Sequence, residues 1–316
     1  MKSRGKVLVT DYVHDELLTG LTSLGYEVIY DKDYNPGSLE KDLPSLEGII
    51  INSKIKMTAE RQALAKKLKF IGRLGSGLEI IDLQAASKNH ISVFNSPEGN
   101  RNAVAEHALG MLLCLANNII VGDAEVRNRI WSREKNRGIE LEGKTVGIIG
   151  FGNTGQAFAR KLSGWTLDIT YYDPYLLNVP DDLNYITSES IDQLIALSDI
   201  ISLHAPLTNE TKHMVDARFL KACKPGTILI NTSRGAVVKT IDLVKALQEN
   251  LISGACLDVF ENEKPHCFSK EESQLYNELY SMENVILTPH VAGWTDDSLL
   301  RIAKVLLKKI ASFNTT

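Results

Sequence analysis

The sequence predicts an α/β protein made of two doubly wound parallel-sheet domains, on three observations. Strand-length apolar runs alternate with helical stretches from Lys6 to Leu287, which is the rhythm of βαβ units. Lys144 to Asp173, KTVGIIGFGNTGQAFARKLSGWTLDITYYD, reads as strand, glycine turn, helix, strand and acid, the context a dinucleotide fingerprint requires. That stretch comes late in a chain of 316 residues, a length that accommodates two cores.

The first half opens with a strand at Lys6 to Val9 and a helix at His14 to Leu24 that lines up Leu17, Leu18, Leu21 and Leu24. A strand at Glu27 to Tyr30, a turn at Asn35-Pro36-Gly37, a short helix and the apolar strand Gly48 to Ile51 follow. Thr58 is placed to cap a helix with Ala63, Leu64 and Leu68 facing inward, since its hydroxyl can accept a hydrogen bond from a first-turn amide. Phe70 to Leu74 is a strand running into Gly75-Ser76-Gly77, Ile81 to Lys88 is helical and Ser92 to Phe94 is a strand. This half has no dinucleotide fingerprint, because Gly75-Ser76-Gly77 lacks the third glycine and the acid beyond it.

From Asn102 to about Arg127 the pattern is one long apolar helix with Val104, Ala105, Ala108, Leu109, Leu112, Leu113, Leu115 and Ala116. So wide an apolar surface suits a helix that joins two domains or packs across a dimer. Beyond the fingerprint, strands are expected at Ile200 to Leu203, Thr227 to Asn231, Gly254 to Leu257 and Val285 to Leu287, with a helix at Ile241 to Gln248. Roughly six parallel strands complete a dinucleotide-binding sheet. The last helix, with Leu299, Ala303, Leu306 and Ile310 on its apolar face, returns to cover the first domain. The expected division is 1–100 with 291–316 as a discontinuous, flavodoxin-like domain, into which a Rossmann domain, 101–290, is inserted.

Within the fingerprint each residue has a physical task. Gly150 lets the chain turn off the strand, Gly152 removes a Cβ where a pyrophosphate would approach, and Gly155 lets helix and strand pack closely. The positive end of the helix dipole faces the anion. Asp173 can accept hydrogen bonds from both ribose hydroxyls and would repel a 2′-phosphate; 174–179 contains no Arg or Lys to attract one. The expected cofactor is therefore NAD.

Composition narrows the partners. A formal net charge of −4 with interspersed cations gives no reason to expect nucleic acid or an anionic membrane, and no apolar run approaches spanning length. The N-terminus has no signal-peptide pattern. Cys114, Cys223, Cys256 and Cys267 lack metal-ligand spacing, so no metal site is expected. Reduced, mostly buried thiols in a cytoplasmic protein are the reading.

Ligands of open parallel sheets bind beyond the carboxyl ends of the strands. Four polar segments fall there: His204-Ala205-Pro206, Asn231 to Gly235, Asp258 to Glu263, and Pro289-His290. Here the sequence resembles the D-isomer-specific 2-hydroxyacid dehydrogenase family, over nearly the whole chain. The marks are GFGNTG, HAPLTNETKHMV at 204–215, NTSRGAVV at 231–238, DVFENEKP at 258–265 and PHVAGWT at 289–295. The resemblance implies a catalytic arginine, acid and histidine, which fall by motif on Arg234, Glu263 and His290.

Those roles suit the residues. Oxidation of a 2-hydroxy acid moves a hydride to the nicotinamide and a proton to a base, and imidazole titrates near neutral pH. Glu263 would hold one tautomer of His290 and stabilise its imidazolium. Arg234 offers a fixed fork of donors to the substrate carboxylate and carbonyl. The resemblance also implies that Asn153 and Thr154 approach the pyrophosphate, while Thr232, Ser233, Arg234 and Asp258 line the nicotinamide half. His204, Pro206, His290 and Gly293 are implied as further cofactor contacts. For substrate it implies Ser53, Ser76, Gly77, Asn100 and Arg234. His107, on the long helix beside Glu106, reads as a packing residue, and His14, His90, His213 and His266 show no partner pattern.

Several positions depart from the family. Asn52 stands where many members carry arginine, with Lys54 and Lys56 nearby; Glu79-Ile80 replaces a frequent Asp-Asn; and Trp294 follows His290 closely. The chain ends at Thr316, without the C-terminal regulatory domain of longer phosphoglycerate dehydrogenases. The expectation is an NAD-dependent, homodimeric oxidoreductase acting on a D-2-hydroxy acid or its 2-oxo partner in a cleft that closes on substrate. A D-3-phosphoglycerate-like acid comes first, then D-lactate or glyoxylate and hydroxypyruvate. Rivals are an NAD(H)-sensing interaction protein of co-repressor type and oxidation of formate.

Overall fold

The computed structural model describes residues 4–313. They fall into two compact units, 4–101 with 293–313, and Asn102–Ala292. In chain order the first runs β1 (Lys6–Val9), α1 (Asp15–Ser23), β2 (Glu27–Tyr30), α2 (Leu39–Asp42), β3 (Leu46–Ile51), α3 (Ala59–Leu64), β4 (Phe70–Arg73), α4 (Leu83–Lys88) and β5 (Ser92–Phe94). Helix α5 (Pro97–Ala116) carries the chain into the second unit, followed by α6 (Ile119–Arg127), β6 (Thr145–Ile149), α7 (Asn153–Leu162), β7 (Asp168–Tyr172) and β8 (Thr187–Ser188). Then come α8 (Ile191–Leu197), β9 (Ile200–Leu203), α9 (Ala217–Ala222), β10 (Ile228–Asn231), α10 (Thr240–Gln248), β11 (Gly254–Leu257), α11 (Lys270–Tyr280) and β12 (Val285–Leu287). Helix α12 (Asp296–Phe313) returns to the first unit.

The first sheet has the order β2-β1-β3-β4-β5, parallel throughout, which is the flavodoxin-like order. Alternation along its strands divides two apolar layers. Leu8, Ile49, Ile51 and Ile71 face one. Val7, Val9, Ile50 and Phe70 face the other, against Leu17 and Leu21 of α1 and Ile302, Ala303, Leu306 and Ile310 of α12. Helix α12 starts on a reciprocal cap, Thr295 N to Ser298 Oγ and Ser298 N to Thr295 Oγ1, both 3.0 Å, which satisfies first-turn donors. Thr58 caps α3 through Arg61 N. The expected inward face of α3 is corrected in part: Leu68 is buried as expected, but Ala63 and Leu64 are exposed and Gln62 and Ala65 are buried in their place. The helix stops at Leu64, so the helical spacing used to choose those positions does not continue to Leu68.

The second sheet has the order β12-β11-β10-β9-β6-β7-β8, again all parallel. Its central strands β9, β10 and β11 are buried at every residue, as strands covered on both faces must be. The sheet has seven strands rather than six, because Thr187 and Ser188 pair with Thr170 and Tyr171; two polar residues carry no strand pattern. The long helix is also corrected. It begins at Pro97, where the missing N–H of proline costs nothing, and it is two helices, α5 and α6, bent by 60°. Asn118 at the junction has φ +51°, a conformation asparagine tolerates better than most residues. Among the described residues no single helix is long and apolar enough to cross a membrane. The cysteines are free, Cys223 and Cys256 buried and Cys267 exposed, and burial pushes the Cys223 thiol up to about 12.

Candidate active site

Strand β6 ends in the glycine turn at the carboxyl edge of the second sheet. Gly150 has φ +87°, and a Cβ there would lie 2.6 Å from Ala205 N, so glycine is required on both counts. A Cβ on Gly155 would lie 2.2 Å from Gly150 O, which fixes how closely α7 approaches β6. At Gly152 a Cβ would meet nothing within 4 Å. The fold itself therefore leaves that space open, directly before the N-terminus of α7 at Asn153-Thr154.

Asp173 directly follows β7 and folds back over this turn. Its Oδ2 accepts from Phe151 N at 2.8 Å and its Oδ1 from Tyr175 N at 3.0 Å. Each oxygen keeps acceptor capacity for a further donor. Following β9, His204 is buried, with Nε2 2.8 Å from Ser202 Oγ, and burial pushes its pKa down to about 3. Its ring is uncharged, and Nδ1 is buried without a partner. Pro206 beside it is exposed and accepts Thr211 Oγ1 through its carbonyl. Thr232 Oγ1, beyond β10, is likewise buried and unpartnered. Buried polar atoms left without a partner are costly. Together with the open approach at Gly152 and the Asp173 carboxylate, they fit a bound dinucleotide.

The turn after β10 is held by Asn231. Its Oδ1 accepts from Ser233 N at 3.1 Å and Ser233 Oγ at 2.9 Å, and its Nδ2 donates to Arg234 O at 3.0 Å. Sequence reasoning placed Asn231 at a strand end without giving it this task. Arg234 Nη1 donates to Ser233 O at 2.7 Å. Strand β11 leads to Asp258, whose side chain is 1% exposed. Its Oδ1 accepts Thr288 Oγ1 at 2.6 Å and Val291 N at 2.9 Å, and its Oδ2 accepts Ala292 N at 2.9 Å. The Asp258 carbonyl accepts His290 N at 2.8 Å. Asp258 thus wraps the turn that presents His290, whose φ is +56°. Behind it, His107 Nε2 lies 3.0 Å from Thr288 Oγ1, so this histidine joins a polar network rather than only packing.

His290 Nδ1 lies 2.9 and 3.0 Å from the two Glu263 oxygens. An ionised carboxylate only accepts, so Nδ1 carries the proton and Nε2, on the opposite edge of the ring, is the basic nitrogen. Burial alone would raise the Glu263 carboxyl. The His290 hydrogen bond and charge, the Phe260 amide and the Arg234 guanidinium together hold it below the usual range. His290 and Glu263 are half exposed, at 50% and 41%. Arg234, Glu263 and His290 thus come from the ends of β10, β11 and β12 and belong to one unit.

The remaining expected residues belong to the other unit. Ser76 Oγ donates to Asn100 Oδ1 at 3.1 Å, Asn95 Nδ2 donates to Ser76 O at 2.8 Å, and a Cβ on Gly293 would lie 2.7 Å from Asn100 Nδ2. Gly77 is half-buried and Ser53 exposed. Lys54 Nζ donates to Lys32 O at 2.7 Å and lies 3.7 Å from Asp11 Oδ1. Trp294 is exposed. Two histidines expected to lack partners have them. His14 Nδ1 caps α1 by accepting Glu16 N at 3.1 Å, and His213 Nε2 lies 2.6 Å from Glu261 Oε1. Neither pairing has a local sequence signal that would separate it from an ordinary surface histidine.

Comparisons with known proteins agree with this architecture. A family model described as "D-isomer specific 2-hydroxyacid dehydrogenase, NAD binding domain" matches residues 109–292. The chain is 33% identical over 307 residues to D-3-phosphoglycerate dehydrogenase of Archaeoglobus fulgidus, covering 97% of this chain and 57% of that protein. It is 34% identical over 312 residues to hydroxypyruvate reductase of Thermotoga maritima, covering 98% of each. D-lactate dehydrogenase from Aquifex aeolicus, solved with NAD and lactic acid, matches with a TM-score of 0.83 at 31% identity, over 98% of this chain and 95% of that one. The chain spans little more than half the length of the phosphoglycerate dehydrogenases it matches.

Proposed function

The chain belongs to the D-isomer-specific 2-hydroxyacid dehydrogenase family, and from that premise we propose that it is an NAD-dependent oxidoreductase interconverting a D-2-hydroxy acid and its 2-oxo acid. The observation that carries this reading is the pairing of His290 Nδ1 with Glu263 at 2.9 Å, with Arg234 close enough to lower the Glu263 carboxyl. Bound NAD supplies the hydride acceptor, and NADH the donor. Gly150, Gly152, Asn153, Thr154 and Gly155 hold its pyrophosphate, Asp173 its ribose, and His204, Pro206, Thr232 and Ser233 the channel.

In the oxidising direction His290 Nε2 removes the proton of the substrate hydroxyl, and in the reducing direction it returns one to the carbonyl oxygen. Glu263 fixes the tautomer and stabilises the imidazolium that forms. Arg234 orients the substrate carboxylate and polarises the carbonyl. Asp258, Asn231 and Thr288 keep these groups in place. The resemblance adds Ser53, Ser76, Gly77 and Asn100, which belong to the other unit, as substrate-binding residues. A D-3-phosphoglycerate-like acid is the expected substrate from resemblance.

A homodimer in the cytoplasm completes the proposal. Free cysteines suit a reducing compartment. Ile119, Ile120, Val126, Ile130 and Trp131, the last 80% exposed, form an apolar run along α6 and beyond, larger than isolated surface apolar residues explain. Sedimentation should give twice the chain mass, and Trp131→Glu should shift it toward the monomer; a monomeric wild type would refute the dimer. NADH oxidation with glyoxylate, hydroxypyruvate, its 3-phospho form, pyruvate and other 2-oxo acids tests the activity. Tight NADH binding with no turnover would favour an NAD(H)-sensing interaction protein, and NAD reduction by formate would favour the third reading.

A further inference from the structure

The loop after β11 carries two carboxylates two residues apart, and each is bound to an imidazole. Glu263 pairs with His290, and Glu261 Oε1 pairs with His213 Nε2 at 2.6 Å. The other oxygen of Glu261 accepts Thr240 N, at the start of α10, also at 2.6 Å. Both partners of Glu261 belong to segments that flank Arg234. His213 N donates to Ala236 O at 2.8 Å, next to the isolated bridge between Val215 and Val238. Thr240 lies just beyond. At Gly235 the two backbones touch: a Cβ would fall 1.9 Å from Phe260 C.

We propose that Glu261, clamped by His213 and the Thr240 amide, is a positioning residue that holds Glu263 in register with Arg234. The proposal rests on the reading of Glu263 and Arg234 as members of the catalytic set. A loop carboxylate keeps a fixed geometry only when its support is fixed. The loop's other anchor, Asn262, points elsewhere: its N accepts no part in this tie but donates to Tyr276 Oη at 3.1 Å, and its Nδ2 donates to Glu272 Oε1 at 3.0 Å, both on α11. Without the Glu261 carboxylate the loop stays attached to α11 and loses its direct polar ties to His213 and the Thr240 amide, keeping only the indirect route through Tyr276, whose hydroxyl also bonds Thr240. His213 holds φ +54°, a conformation that non-glycine residues keep only where surrounding bonds determine it.

The test compares Glu261→Ala with Glu261→Gln in the full chain. Glutamine preserves both bonds, since its carbonyl accepts Thr240 N and its amide donates to the other tautomer of His213. Glu261→Ala should lower kcat by about tenfold or more, because displacement of a catalytic group by a fraction of an ångström is costly. NADH affinity and thermal midpoint should stay near wild type, and Glu261→Gln should recover most of the rate. Unchanged kcat in Glu261→Ala overturns the proposal; so does a loss of NADH affinity and thermal midpoint in step with kcat that Glu261→Gln does not repair. The ring N–H resonance of His290 in substrate-free protein reads the positioning without turnover. It should persist in wild type and Glu261→Gln and broaden or vanish in Glu261→Ala, and an unchanged signal would contradict the proposal. If wild type turns over no 2-oxo acid, the proposed activity fails while this resonance still decides the positioning.

Discussion

At the scale of single residues, the site depends on side chains that satisfy backbone donors as much as on those that meet ligands. Asp173 illustrates both. Its carboxylate accepts Phe151 N and Tyr175 N, which anchors the glycine turn and aims the remaining lone pairs outward. Asp173→Ala should weaken NADH by tenfold or so, the worth of about one charged hydrogen bond, and weaken NADPH far less; titration of both cofactors measures it, and equal losses would remove the ribose argument. The gathering of Arg234, Glu263 and His290 was legible because each belongs to a distinctive motif at a strand end, and the structure brings them together. His213 and Glu261 were not, since their partners lie on other loops and only the folded chain brings them together; the bonds of Asn231 stay within its own turn, to Ser233 and Arg234, but nothing in the residue order separates this turn-holding role from a plain strand end. Asp258 shows the same limit. The resemblance implies a cofactor contact for it, and only the structure reveals that Thr288, Val291 and Ala292 engage its carboxylate.

At the scale of elements, the order strand, glycine turn, helix at β6 and α7 was readable because chemistry and packing demand the same residues, although the helix starts at Asn153 rather than at the expected Gln156. Gly155→Ala places a Cβ 2.2 Å from the backbone oxygen of Gly150, which cannot yield as a side chain can. It should destabilise the protein by roughly 1–3 kcal/mol, measured by denaturant unfolding, and weaken NADH in parallel; a wild-type midpoint would mean that the turn is looser than described. The errors fell where pattern is weak or shared. An apolar helix run continues across Asn117-Asn118, so the 60° bend between α5 and α6 is invisible to hydrophobic spacing. In α3 the apolar residues continue past the end of the helix at Leu64; Leu68 is buried as expected, while Gln62 and Ala65 take the inward places expected of Ala63 and Leu64. Strand β8 is two residues long, too short for any period.

At the scale of the whole molecule, both sheets are parallel and doubly wound, as alternating strands and helices require, and the class of fold was therefore fully legible. What distinguishes the units is the glycine turn, present in only one. Acid stability follows from groups that the fold holds below their ordinary pKa. His204 is moved from its ordinary 6.5 to about 3, so below 6.5 the unfolded chain takes up a proton that the folded chain refuses. Its contribution is intact above 6.5 and is lost as pH falls toward 3, at up to about 1.4 kcal/mol per pH unit. Glu263, lowered from its ordinary value, acts in the same direction at lower pH. Unfolding measured against pH should lose slope between 6.5 and 3 in His204→Gln, and an unchanged slope would mean that His204 is not the group responsible. The central claim, that His290 backed by Glu263 moves the proton of a 2-hydroxy acid, is tested most directly by one paired measurement: NADH oxidation with the 2-oxo acid panel, and NADH affinity, in wild type and His290→Ala. The account predicts wild-type turnover with at least one acid, a rate in His290→Ala lower by about 10²–10⁴, and nearly equal NADH affinity. Turnover retained in His290→Ala, or none in a wild type that binds NADH tightly, would contradict it.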